Sequence, residues 1–146
     1  MLAPDRMEGV MIIYPCGSRP TQNGPESTFT GSVRLEPVAA APDAPGIRAN
    51  VVTFAPEART FWHSHTHGQV LHVTQGSGLI ALRGEAPRRI RAGDSVWIPA
   101  DIEHWHGAGP DNAMTHMAVQ PSPHGDETAW LEAVSDADYN REPQRS

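Results

Sequence analysis

Along most of this chain apolar and polar side chains alternate with the two-residue period of a strand that buries one face, in short runs cut by proline and glycine. Phe29 to Val38, Ile47 to Phe54, Gln69 to Thr74, Leu79 to Arg83, Ser95 to Ile98, His104 to Gly107 and Ala113 to Gln120 read as strands, rich in valine, threonine, leucine and aromatic residues. Gly76-Ser77-Gly78 reads as a three-residue hairpin between two of them. Apolar Val10 to Tyr14 reads as a further short strand, stopped by Pro15 and Gly17, of the kind that pairs at a sheet edge or with a partner subunit. Only the tail has helical spacing. Asp126 or Thr128 caps a segment placing Trp130, Leu131 and Val134 on one face, which would pack on the outside of the strands.

Short strands at regular spacing predict an all-β barrel or sandwich. Residues 1–28 form an N-terminal arm with a short strand, residues 29–125 the barrel, and residues 126–146 a C-terminal helix and tail. Length agrees: 146 residues make one domain with a real core.

Composition removes several functions. A net charge of −6, with no basic stripe, argues against nucleic acid as a partner, and Arg88-Arg89-Ile90-Arg91 reads as a solvated edge. Every basic side chain is arginine, so no lysine can form a Schiff base or anchor pyridoxal phosphate. Cys16 is the single cysteine, which excludes an intramolecular disulfide framework and a thiolate zinc site. No stretch reaches the length of a membrane span and no signal-like start is present, so the expectation is a cytoplasmic protein with a small-molecule partner and no membrane partner. The edge strand at the N-terminus adds the expectation of a homodimer or larger even homo-oligomer.

Histidine placement then gives the chemistry. Six of the eight histidines fall between His63 and His106. On strands, His63 and His65 project to one side, and His104 and His106 share a parity. Such a concentration points to a metal site, although imidazole suits zinc, copper, iron and nickel alike. A histidine that does not ligate is poised beside a divalent cation as a general base near neutral pH, because like charge disfavours its protonated form. His106 is the first candidate for that base. His116 divides between base and partner that orients a ligand, and shares its face with Ala118 and Gln120. Parity turns Trp62 and Trp105 away from the site, into core; His72 has opposite parity to Gln69, His67 lies in a turn and His124 in a solvated loop.

The segment Glu57 to Gly76 resembles the first motif of the cupins: histidine-x-histidine, three residues, an acid, six residues and glycine, with Gln69 standing where the acid usually is. Gly93, Pro99 and His104 resemble the second motif. Glu57, Asp101 and Ala108 replace the expected glycine, glycine and asparagine. The resemblance implies a cupin jelly-roll (double-stranded β-helix) barrel, with His63, His65, Gln69 and His104 as metal ligands. Phe29-Thr30-Gly31-Ser32-Val33-Arg34, His104-Trp105-His106-Gly107-Ala108 and Ala113-Met114-Thr115-His116 with Gln120 are similar to the small bacterial cupins that include manganese-dependent hydroxynitrile lyases.

That closer resemblance implies one divalent ion, manganese ahead of iron, nickel or zinc, and catalytic positions at His106, His116 and Gln120. The expected reaction is reversible cleavage of a cyanohydrin to an aldehyde and hydrogen cyanide, with His106 taking the hydroxyl proton and His116 and Gln120 positioning cyanide. Competing readings are a metal-dependent dioxygenase or isomerase acting on a small organic substrate, and a cupin that binds a small ligand without turning it over. An amide at position 69 leaves the ion its full positive charge, which tilts the expectation toward Lewis-acid chemistry.

Overall fold

A computed structural model describes residues 9, 11–125 and 127–145. Its strands are β1 (Gln22–Asn23), β2 (Phe29–Thr30), β3 (Val33–Ala39), β4 (Gly46–Phe54), β5 (Arg59–Thr60), β6 (His63–His65), β7 (Gln69–Leu82), β8 (Arg88–Arg91), β9 (Ser95–Ile98), β10 (His104–Ala108), β11 (Met114–Ser122) and β12 (Thr128–Trp130). They form one curled antiparallel sheet in the order β1-β3-β4-β11-β7-β10-β5-β2, with β12 on β6, β6 on β10, and β8 and β9 on β7. This is an all-β barrel, as the alternating pattern predicts, of the jelly-roll form that the cupin resemblance implies.

One long strand makes the closure. Gly76-Ser77-Gly78 is not a hairpin: β7 runs through it for 14 residues. Its first half pairs with β11 and β9, and its second half with β10 and β8. The glycines are needed for close approach rather than for a turn. Gly76 adopts φ +72, and a Cβ on it would lie 2.0 Å from the Ala113 carbonyl oxygen. A Cβ on Gly78 would lie 2.1 Å from the carbonyl oxygen of Gly107. The strand can therefore bend from one face of the barrel to the other only where side chains are absent.

Between the faces lies the core, with Phe54, Leu71, Val73, Ile98 and Met114 fully buried or nearly so. Each such side chain contributes about 2 kcal/mol by leaving water. A second cluster of Trp62, Leu79, Ala81, Trp105, Val134 and Tyr139 lies outside the first. Trp62 and Trp105 thus face away from the histidines, as strand parity requires.

Both ends of the chain depart from the local pattern. Residues 11–15 carry no strand, with Met11 and Ile13 82% and 75% exposed, and Val10 lies outside the described residues. The tail helix α1 is short, Asp136–Tyr139, capped by Ser135, whose side chain accepts from the Asp138 amide. Asp126 lies outside the described residues, and Thr128 begins β12 rather than a helix. The backbone edge of β6 explains the difference. Pairing Thr128 with His65 and Trp130 with His63 satisfies donors and acceptors that would otherwise be orphaned on a buried strand. Buried Arg59 then anchors α1 through Asp136, at 3.0 Å, and through the Val134 carbonyl. Among the described residues no helix is long and apolar enough to cross a membrane.

Candidate metal centre and active site

Strands β6, β7, β10 and β11 each turn alternate polar side chains into the barrel. From them come His63 and His65, Gln69, His104 and His106, and His116 and Gln120, all buried. A cavity of about 310 Å³ opens beside them, lined by six of these seven; His104 stands behind His63, ring centroids 4.2 Å apart. The structure therefore brings every sequence-selected site residue into one cluster. His67, His72 and His124 stay outside it and are exposed.

Hydrogen bonds fix which nitrogens face inward. His63 Nδ1 donates to the Phe61 carbonyl at 2.9 Å, and His104 Nδ1 to the Ile102 carbonyl at 2.8 Å. A carbonyl only accepts, so both rings carry their proton on Nδ1 and keep a lone pair on Nε2. Gln69 Nε2 donates to Gln120 Oε1 at 2.9 Å, which turns Gln69 Oε1 toward the histidines. His65 Nδ1 lies 3.2 Å from the Thr128 hydroxyl.

Several buried atoms are left without a hydrogen-bond partner: Nε2 of His65, His104 and His106, and Oε1 of Gln69. Leaving one such atom unpaired costs about 1–3 kcal/mol, so this cluster fits bound groups, an ion and a protic ligand, that would engage these atoms. A divalent cation suits this set of nitrogen and amide-oxygen donors. Ring nitrogens of His63, His104 and His106 lie within 4.8 Å of one another and could share an ion. His65 belongs to the same ring of imidazoles, its centroid 4.9 Å from that of His63 and 5.4 Å from that of His104.

Electrostatics keeps the cluster neutral. Burial pushes His104 and His116 down to about 4. His63 is held well below its ordinary value by desolvation first, then by His104 and His65. His106 is also lowered well below, by desolvation and then by His116 and the other three imidazoles. Removal from water is the largest cause in each case. All four rings are neutral near neutral pH, the form that can ligate a metal or accept a proton.

A dyad completes the site. His116 Nε2 lies 3.0 Å from His106 Nδ1, and the edge of Phe54 packs against both rings. With the shared proton on His106 Nδ1, its Nε2 is an acceptor facing the cavity.

Residues 50–119 match the family model of the cupin domain. Over 131 residues the chain is 44% identical to an (R)-mandelonitrile lyase of Granulicella tundricola, covering 90% of this chain and 100% of that protein. The chain belongs to the cupin family. This cupin is also similar to a solved cupin-like protein of Thermotoga maritima, with TM-score 0.77, 36% identity, and 80% and 89% of the two chains covered. A polyketide cyclase of Streptomyces resistomycificus shares the fold, with TM-score 0.61 at 19% identity over 73% of this chain and 75% of that one.

Two departures from the cupin motifs have a backbone counterpart. Glu57 and Asp101, which replace expected glycines, are the two non-glycine residues at positive φ among the described residues, at 70° and 63°. The turns keep the left-handed conformation at a cost of about 1–2 kcal/mol each. Two contributors of this cupin site escaped the sequence pattern. Thr128 bonds His65 and accepts from Gln120 Nε2 at 3.4 Å, and Trp130 stacks on His63 with ring centroids 4.7 Å apart. The alternation Thr128-Ala129-Trp130 was the available signal, masked by the helical spacing of Leu131 and Val134.

Proposed function

We propose that this cupin is a metal-dependent hydroxynitrile lyase, which cleaves a cyanohydrin reversibly to an aldehyde and hydrogen cyanide. The observation that carries the reading is the buried His106–His116 pair beside a ring of outward-bonded, inward-accepting imidazoles. Similarity to an (R)-mandelonitrile lyase over its whole length supports it.

His63, His65, Gln69 and His104 would hold the ion through ring nitrogens and an amide oxygen of this buried cluster. A bound divalent cation supplies Lewis acidity toward a hydroxyl or carbonyl oxygen. The chain does the proton work. His106 Nε2 takes the hydroxyl proton while the electrons of the breaking carbon–carbon bond leave with cyanide, and returning that proton to cyanide gives hydrogen cyanide. His116 supports the base by accepting from His106 Nδ1 at its own Nε2, which is thereby unavailable to the leaving group. Gln120, bonded to Gln69 and Thr128, presents its remaining amide hydrogen to the cavity for cyanide.

Manganese is the proposed ion, with iron, nickel or zinc as alternatives that the donor set also accepts. A homodimer or larger even oligomer is part of the same proposal. Trp97, 59% exposed, and its cross-strand neighbour Val70 offer an apolar face for a second copy.

One assay tests the function. Manganese-loaded protein, benzaldehyde and cyanide at mildly acidic pH should give mandelonitrile with a clear enantiomeric excess, since a barrier difference of about 1.4 kcal/mol gives tenfold discrimination. Racemic product at the background rate, with oxygen uptake by the iron-loaded form, would establish a dioxygenase instead. A small molecule retained through purification, with neither activity, would establish a binding protein.

A further inference from the structure

Strand β4 turns Val52 and Asn50 toward the cavity, and both line it. Across one ladder Val52 is paired with His116 and Asn50 with Ala118 of β11; across the other, Leu35 and Pro37 of β3 stand opposite the same two residues. Asn50 therefore lies two residues from the level of His116, about 7 Å along the wall. Its cross-strand neighbours, Ala118 and Pro37, carry no hydrogen-bonding side chain. Asn50 is half-buried, and its amide makes no hydrogen bond with any described residue.

Gln120, the next inward residue of β11, contrasts with it. Its Oε1 accepts from Gln69 at 2.9 Å and its Nε2 donates to Thr128 at 3.4 Å. Strands β4 and β7 flank β11 on opposite sides, so Gln120 is drawn toward β7 and away from Asn50. With only a methyl group at position 118, the space between the two amides belongs to the cavity. A ligand that reaches from the histidines over Ala118 meets an apolar strip of Leu35, Val52 and Ala118, and then one unused carboxamide.

From this we infer that Asn50 is a specificity-determining residue, and that the substrate class is an aldehyde, or its cyanohydrin, with a neutral hydrogen-bonding group such as a hydroxyl remote from the reacting carbon. The inference rests on the lyase reading for the reacting end and on Asn50 for the other. A hydroxyl can donate to Asn50 Oδ1 or accept from its Nδ2, since a carboxamide offers both. A methyl group of the same size fits the apolar strip, but it displaces water from Asn50 and returns no hydrogen bond. A wall that pairs with a substrate hydroxyl thereby disfavours the analogue that lacks it.

Binding is measured by calorimetry on manganese-loaded protein with 3- and 4-hydroxybenzyl alcohol, each against the methylbenzyl alcohol substituted at the same position. In the better pair the hydroxyl probe should bind roughly tenfold tighter, the scale of one hydrogen bond whose protein partner is otherwise unpaired. Asn50→Leu, close in shape, should bring that ratio to one or below; Asn50→Ala, which should do the same, serves if the leucine variant does not fold. A ratio near one in both wild-type pairs, or one unchanged by either substitution, overturns the inference. So does a ratio kept in Asn50→Leu and lost in Gln120→Leu, which would hand the hydroxyl to Gln120. Turnover of the corresponding hydroxy- and methylbenzaldehydes with cyanide is read separately, as the ratio of kcat/KM in wild type against Asn50→Leu, so that the intrinsic reactivity of the aldehydes cancels. No product from either aldehyde, with the binding ratio intact, sinks the lyase reading and leaves the role of Asn50 standing. Product from both, with a kcat/KM ratio that Asn50→Leu leaves unchanged and equal probe affinity, does the reverse.

Discussion

His116 Nε2 and His106 Nδ1 lie 3.0 Å apart, joining β11 to β10 across the barrel interior although the two strands pair with β7 and not with each other. One proton serves both rings, so the tautomer of His106 depends on His116. His116→Phe fills the space against Phe54 but offers no acceptor. It should lower kcat for cyanohydrin cleavage by about 10–100-fold with little change in KM. His116→Gln, which keeps an acceptor, should recover part of the loss. Wild-type kcat in His116→Phe would remove the dyad from the mechanism.

The ligand assignment makes a separate prediction. His63→Ala and His104→Ala should each lose most of the bound metal, since the three remaining protein donors compete poorly with hydration. His106→Ala should keep its metal and lose about 10²–10⁴-fold in rate, the usual contribution of a general base. Elemental analysis decides. Because His106 lies in the same 4.8 Å grouping as His63 and His104, metal loss in His106→Ala would make it a ligand instead.

Thr128 gives a prediction that activity alone would not isolate. Its hydroxyl bonds His65 Nδ1 and accepts from Gln120 Nε2, so it sets the orientation of one imidazole and one amide. Thr128→Val, nearly the same shape, should weaken metal binding about 10–100-fold by competition with a chelating dye. Thr128→Ser should restore most of it. Equal affinity in Thr128→Val and wild type would leave Thr128 a strand residue only.

Acid should destabilise the metal-stripped protein in a defined window. His104 and His116 sit at about 4 when folded, below the ordinary 6.5. Between those values the unfolded chain binds more protons, so stability is full above 6.5 and falls as the pH drops toward 4, and His63 and His106, also held well below their ordinary value, extend the fall to lower pH. His104 and His116 each account for about 3 kcal/mol over the window. Thermal melts of the chelated protein across that range test it. His116→Gln should flatten the fall by one group; an unchanged slope would place the acid sensitivity elsewhere.

Much of this was legible in the sequence because it depends on local repetition. Alternation along β4, β10 and β11 determined which side chains share the interior, and the spacing of His63, His65 and Gln69 placed three donors on adjoining strands, whatever the remainder of the chain did. Parity alone turned Trp62 and Trp105 outward. Long-range pairing decided the rest. Gly76 and Gly78 look like a turn until the carbonyls of Ala113 and Gly107 are seen occupying the space of their side chains. Thr128 to Trp130 looks helical until the open edge of β6 recruits it as a strand, and only then do Thr128 and Trp130 reach His65 and His63. The sequence by itself determined an all-β fold and the histidine cluster, since both follow from a two-residue period. Tertiary structure decided the dyad and the β12 support, because each depends on residues far apart in the chain whose contact no local pattern encodes.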